Sequence, residues 1–186
     1  MEERRVLLVA AGELPDGEWL ERFIGPERTV IAVDGGLAHL RAVSHAPDLV
    51  VGVLDSASEG DLEWARAGGA EVVRLRGQEE SDLAKAFALC SERGWSLIEV
   101  VGVAGGRADH QFATFASLAA ADNSLSITTH LETGVARRFT TGGEESFNPE
   151  GEFSLFALKR AKVTLSGAKY ELGEEWLELD TRGLSN

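Results

Sequence analysis

Cysteine is almost absent from this 186-residue chain, which has Cys90 alone. An internal disulfide is therefore excluded, and the fold must rest on an apolar core, for which the chain is long enough. Cys90 lies in the apolar helical stretch DLAKAFALC and is expected to be a small buried hydrophobe rather than a nucleophile. Positive charge is also scarce: 18 Lys and Arg face 31 Asp and Glu, a formal net charge of −13 with no local basic cluster to offset it. Such a surface repels nucleic acid and anionic membranes, so neither is expected as a partner. An anionic ligand would need a metal ion or well-placed arginines. No apolar run approaches bilayer length, and the opening MEERRVLLVAAG carries acidic residues and no small-residue cleavage site. The expectation is a soluble cytoplasmic protein. Histidines are few, and His39, His45 and His130 lack the paired spacing of a zinc site, which makes them surface or packing residues. Repeats and low-complexity segments are absent.

What is present is alternation. Short apolar runs, VLLVAA (6–11), VIAV (30–33), LVVGVL (49–54), VVRL (72–75) and LIEVVGV (97–103), suit parallel strands covered on both faces. Between them, residues 17–24, 37–44, 57–67, 81–90 and 109–121 have helical patterns of apolar positions, within which Trp19 and Trp64 read as core residues. The order is βαβαβαβαβα, an open parallel α/β sheet suited to nucleotide binding. After Asp122-Asn123-Ser124 the texture changes to SLSITTH, GVARRFTT, EFSLFALK, KVTLSG, KYEL and EWLELD, short alternating segments separated by Gly, Pro and Asn. The expected organisation is an α/β domain over 1–122 and a small antiparallel, sandwich-like β domain over 123–186.

In open α/β sheets ligands bind beyond the carboxyl ends of the strands. Four polar groups fall there: Asp34-Gly35-Gly36 after the second strand, Asp55-Ser56 after the third, Gln78 to Asp82 after the fourth, and Gly105-Gly106-Arg107-Ala108-Asp109-His110 after the fifth. Carboxylates gathered on one rim repel unless a cation joins them, and Mg²⁺ shared with substrate phosphates is the natural occupant. Each group also has a plain reading. Asp-Gly-Gly is ordinary turn chemistry, Ser81 can cap the helix that Asp82 opens, and Glu79-Glu80 suits a solvated loop. The GGRADH turn points more strongly to function, because paired glycines admit close approach of a ligand and Arg107 presents a planar fork to phosphate. Ser56 has no base beside it in sequence, so it is not read as a nucleophile.

Taken together, DGG, PDLVVGVLDS, SDL opening a helix, and GGRADH resemble the thiamine pyrophosphokinase family over nearly the whole chain, with SLFAL (154–158), VTLSGAKYEL (163–172) and Ser185-Asn186 similar to its β-domain segments. The resemblance implies transfer of a pyrophosphoryl group from ATP to thiamine, giving thiamine diphosphate and AMP, with Mg²⁺, in a homodimer whose thiamine site lies between subunits. It implies that Asp55 and Asp82 are metal-binding and catalytic carboxylates and that Arg107 is catalytic. Asp34, Gly35, Gly36, Ser56, Ser81, Gly105, Gly106, Asp109, His110 and Ser185 would be substrate or nucleotide contacts.

The chain departs from the family pattern at several points. Val53 stands where the Gly-Asp-x-Asp-Ser motif has a carboxylate, Gln78 where a lysine is usual, and Thr114 where an asparagine is common. The family usually continues past Ser185-Asn186 into a strand with an aromatic residue that stacks on thiamine, and Trp176 is the aromatic available as a substitute. A relative that binds a nucleotide or thiamine-like ligand with impaired metal chemistry is the alternative expectation, as is an enzyme with another heterocyclic alcohol as acceptor. The third strand, LVVGVLDS, sets residues 53 and 55 on one face by its two-residue period, so an aspartate at 53 would sit beside Asp55.

Overall fold

The structure, a computed structural model, describes residues 4–77, 79–140, 142–149 and 151–179. The chain forms two compact units, Met1–Arg138 and Phe139–Asn186. The first holds a seven-stranded sheet of β1 (Arg5–Val9), β2 (Arg28–Val33), β3 (Leu49–Gly52), β4 (Glu71–Arg74), β5 (Leu97–Val101), β6 (Ser126–Leu131) and β7 (Gly134–Arg138). Their order across the sheet is β4-β3-β2-β1-β5-β6-β7. All neighbours run parallel except β6 and β7.

The central strands explain their own sequences. Val6 to Val9 of β1, Thr29 to Val33 of β2 and all of β3 are buried, because helices cover both faces, and continuous apolar runs result. Toward the edges the runs dissolve. β6 alternates buried Ile127 and Thr129 with more open neighbours, and four of the five residues of β7 are exposed. The connecting helices α1 (Gly17–Glu21), α2 (Leu37–Ala42), α3 (Glu59–Ala67), α4 (Asp82–Glu92) and α5 (Ala108–Ala120) occupy the expected stretches. Three begin at side-chain caps: Asp16 accepts from Trp19 N–H, Ser58 from Asp61 N–H and Ser81 from Ala84 N–H. Trp19 and Trp64 pack against the core around Leu7, Leu20, Leu40 and Leu62.

The domain boundary differs from the expected one. Residues 126–138 extend the main sheet, so the first compact unit ends at Arg138 rather than at residue 122. Arg138 fastens this hairpin to the end of α5 by donating from Nη2 to the Ala121 carbonyl (2.6 Å) and from Nη1 to the Asp122 and Leu125 carbonyls (both 3.1 Å). Among the described residues the second unit has one two-stranded antiparallel sheet, β8 (Ala161–Leu165) with β9 (Leu172–Leu177). Among the described residues EFSLFALK and KYEL, read as strands from their alternation, form no strand, except that Leu172 opens β9.

Candidate functional site

The sheet order reverses between β1 and β5, which sets the crevice of this fold at their carboxyl ends. Here the crevice is bridged by backbone. Gly12 N–H donates to the Gly102 carbonyl at 2.6 Å and Glu13 N–H to that of Ala104 at 2.8 Å. A methyl group at Gly12 would overlap the Gly102 carbonyl and one at Gly102 that of Ala10, so glycine is required on both sides. The Glu13 carboxylate then accepts from Gly106 N–H at 3.2 Å and fixes the glycine turn, in which Gly105 and Gly106 both have left-handed φ (74° and 67°). Sequence reasoning passed over this β1 loop. The signal was the Gly-Glu-Leu-Pro turn directly after the first strand.

Arg107 stands at the N-cap position of α5, with Asp109 and His110 in the first turn. Its guanidinium grips Asp109 with two bonds, Nε to Oδ1 at 3.0 Å and Nη2 to Oδ2 at 2.6 Å, while three quarters of its side chain stays exposed. The charge pair holds the Asp109 carboxyl below its ordinary range, chiefly through the Arg107 hydrogen bond. A fork that is oriented yet solvent-facing is ready to receive an anion. Thr114 only returns a hydrogen bond to the His110 carbonyl within the helix.

The carboxylates gather on the other side of the β1 loop. Asp34-Gly35-Gly36 forms a single 3-10 turn between β2 and α2. A side chain at Gly36 would collide with the Val9 carbonyl, and one at Gly35 would press on Ala11 (3.1 Å) and Ser56 (3.4 Å), so the turn lies flat on the β1 and β3 loops. Asp34 adopts a left-handed φ of 45° and is buried, with Oδ1 lacking any hydrogen-bond partner. Burial pushes its carboxyl above the ordinary value, opposed by hydrogen bonds from Ser56 and reinforced by the nearby charges of Asp82 and Asp55. The Ser56 hydroxyl also lies 3.3 Å from Asp55 Oδ1. One hydroxyl proton cannot serve both carboxylates at once.

β3 ends at Gly52, and Leu54 turns into the left-handed region (φ 65°). The strand period therefore stops before residue 53, and the expected pairing of residues 53 and 55 on one face has no strand to support it. Val53 takes part through its backbone, its N–H donating 3.0 Å to Asp82 Oδ1. That oxygen also meets Lys85 Nζ at 3.3 Å. Ser81, besides capping α4, shares a 2.7 Å hydrogen bond with Ser117 of α5 and so couples the helices that follow β4 and β5.

Of the residues read from sequence, the structure brings Asp34, Asp55, Ser56 and Asp82 into one electrostatic group. It places Gly105, Gly106, Arg107 and Asp109 in a second group across the β1 loop. Gln78 and Ser185 lie outside the described residues. Cys90 is buried, and desolvation raises its thiol to about 12, which removes it as a nucleophile. His39 bonds the Gly12 carbonyl (2.8 Å), and His130 pairs with Glu99 (2.9 Å) and packs on Phe23, both packing roles as expected. Among the described residues no group of three or more His, Cys, Asp and Glu has metal-holding geometry.

Residues 20–129, more than half of the chain and spanning both groups, match the family of the thiamin pyrophosphokinase catalytic domain. The chain belongs to this family. No curated protein sequence matches it. Its fold is shared with thiamine pyrophosphokinase from Bacillus subtilis (23% identity, TM-score 0.72, covering 97% of this chain and 88% of that one). A family protein from Enterococcus faecalis is also similar (19%, 0.66, 95% and 86%), as is thiamin pyrophosphokinase from Geobacillus thermodenitrificans (20%, 0.60, 93% and 82%). Thiamin pyrophosphokinase chemistry is pyrophosphoryl transfer, which makes this a kinase-type chain. The family match begins inside α1, so the Glu13 brace lies outside it.

Asp34 carries a stability prediction. Because burial raises its folded-state pKa, its contribution is full below the ordinary value of 3.8 and is lost as pH rises through the raised value. Asp34→Asn, which keeps the shape and tolerates the left-handed backbone, should stabilise the protein by about 1–2 kcal/mol at neutral pH. The gain should shrink toward pH ~4 in paired thermal melts. A mutant less stable at neutral pH would show that the Asp34 charge is compensated.

Proposed function

We propose that the chain transfers the pyrophosphoryl group of ATP to the hydroxyethyl oxygen of thiamine, yielding thiamine diphosphate and AMP. The thiamine oxygen bonds to the β-phosphorus as the bond to the α,β-bridging oxygen breaks, and the hydroxyl proton is released. The observation that carries this reading is the buried, unpartnered Asp34 oxygen beside Asp55 and Asp82, within the residues that match the family.

The residues fit Mg²⁺ in the manner of a phosphate-bridged ion. Mg²⁺ needs only one or two carboxylates when substrate oxygens and waters complete its shell, so a three-residue protein cage is not required. Asp55 and Asp82 would hold it, with Asp34 behind them, and the bound ion would neutralise charge on the transferred group. Arg107 meets phosphate oxygens on the opposite side of the β1 loop, oriented by Asp109. Gly105 and Gly106 would let backbone approach the ligand, His110 in the first turn of α5 is proposed as a further contact, and Ser56, Ser81, Gly35 and Gly36 would shape the rim. Ser185 is proposed as a thiamine contact.

A second reading, a relative that binds a nucleotide or thiamine-like ligand with little turnover, is favoured by Asp82 Oδ1, already engaged by Val53 N–H and Lys85. Incubation with ATP, Mg²⁺ and thiamine separates the two. Formation of AMP and thiamine diphosphate supports the first, AMP alone points to another acceptor, and neither product supports the second.

We further propose a cytoplasmic homodimer with the β domains at its interface. A two-stranded sheet is marginal alone, and Phe156, Trp176 and Leu179 of the second unit are exposed. One face of Trp176 is covered by the Arg160 guanidinium at 4.4 Å, so stacking on thiamine would use the other. A dimer is expected by light scattering at micromolar concentration, and a monomer would remove a site shared between subunits. Among the described residues no helix is long and apolar enough to cross a membrane.

A further inference from the structure

Lys85 is a buried ammonium to which the reaction proposed above assigns no role. Its side chain is only 8% exposed, on the first turn of α4 three residues after Asp82. Removing an ammonium from water is costly unless acceptors replace the solvent. Among the described residues Lys85 Nζ has two, the Gly77 carbonyl at 2.7 Å and Asp82 Oδ1 at 3.3 Å. The first ties it to the loop after β4. The second puts a fixed positive charge on the carboxylate that also receives Val53 N–H. Asp82 in turn belongs to the acidic group in which its charge and that of Asp55 act on the buried Asp34.

We propose that Lys85 is the resident countercation of this acidic rim, a positioning residue that fixes Asp82 and keeps the rim's affinity for a free divalent ion low, so that the metal enters together with a phosphate-bearing ligand. This rests on the reading of Asp82 as a metal-binding carboxylate. A mobile ion that binds the bare rim must approach a tethered charge already seated on the same oxygen, and the two cations repel over a few ångströms in a partly desolvated pocket. Phosphate oxygens supply the extra negative charge that reverses this balance. Lys85 thereby does for the ligand-free protein what a bound ion would do for the loaded one: it limits repulsion among the carboxylates and holds one of them in place.

The test is Mn²⁺ binding to the full-length protein without nucleotide, followed by the electron paramagnetic resonance of the free ion. Lys85→Met should bind Mn²⁺ about tenfold or more tightly than wild type, since a unit charge a few ångströms away is removed. Lys85→Arg keeps the charge and should stay near wild type. Lys85→Gln retains a donor without the charge and should match Lys85→Met, which supplies the measurement if the methionine variant does not fold. In Lys85→Met combined with Asp82→Asn the gain should vanish. Unchanged or weaker Mn²⁺ binding in the neutral variants, or a gain that survives Asp82→Asn, overturns the proposal. Because this measurement involves no turnover, failure of wild type to make thiamine diphosphate would sink the proposed reaction and leave the Lys85 result standing, and the converse also holds.

Discussion

Asp82→Asn is expected to lower magnesium-dependent turnover of thiamine and ATP by about 10³-fold, the scale seen when a group stabilising transferred charge is lost. The substitution keeps the shape of the side chain and leaves an oxygen for Val53 N–H. What it removes is the negative charge that Lys85 pairs with and that the proposed metal ion would use. Stability should fall by about 2 kcal/mol, because the mostly buried Lys85 loses its charged partner. The measurements are turnover across a magnesium titration and thermal melts of the same samples. Unchanged metal dependence would take Asp82 out of the site.

Arg107→Ala has the opposite profile, a large functional loss with little structural cost. Its guanidinium is exposed and its ion pair with Asp109 is solvent-facing, so the melting temperature should stay within a degree or so of wild type. Affinity for ATP or thiamine diphosphate should drop about a hundredfold, the order expected for a bidentate charge-assisted contact with phosphate. Calorimetric titration alongside melting separates this from a structural role. Preserved affinity with a large stability loss would make Arg107 a packing residue.

The main sheet was legible because its central strands are buried on both faces. VLLV, VIAV and LVVG each sit where an uninterrupted apolar run put them, and Ser81 caps α4 as its position before Asp82 suggested. The hairpin at residues 126–138 was read as strand but assigned to the wrong unit. A strand near a sheet edge is buried on one side only, so SITTHL alternates just as a strand of a separate antiparallel domain would. Periodicity reports which faces are buried and does not say against which sheet. EFSLFALK shows the reverse limit, an alternation that forms no strand among the described residues.

At the candidate site, strand-end logic put Asp34, Asp55, Asp82 and Arg107 in the loops or helix starts that follow β2 to β5, which is where the structure has them. It missed Lys85 and Glu13 for a common reason. Lys85 appears in sequence as one polar residue inside DLAKAFALC, and its meaning comes from the Gly77 carbonyl and from the depth at which α4 packs. Glu13 matters through a turn more than ninety residues away. Backbone events were hidden as well: the left-handed turn at Leu54 cut short the strand period on which the position of residue 53 had been reasoned.

The place of β1 in the sheet has a kinetic consequence. It lies between β2, which follows it closely, and β5, whose residues 97–101 pair with residues 5–9. Closing so long a segment of chain is entropically slow, and contacts of such separation delay folding. During synthesis β1 and β2 can meet early, but one edge of β1, apolar along four of its five residues, stays open until residue 101 has been made. An unpaired apolar edge invites association with other chains. The interval between the first strand and the fifth is thus when a nascent chain is most exposed to misassembly, and the backbone bridges from Gly12 and Glu13 to the β5 loop can form only when that interval ends.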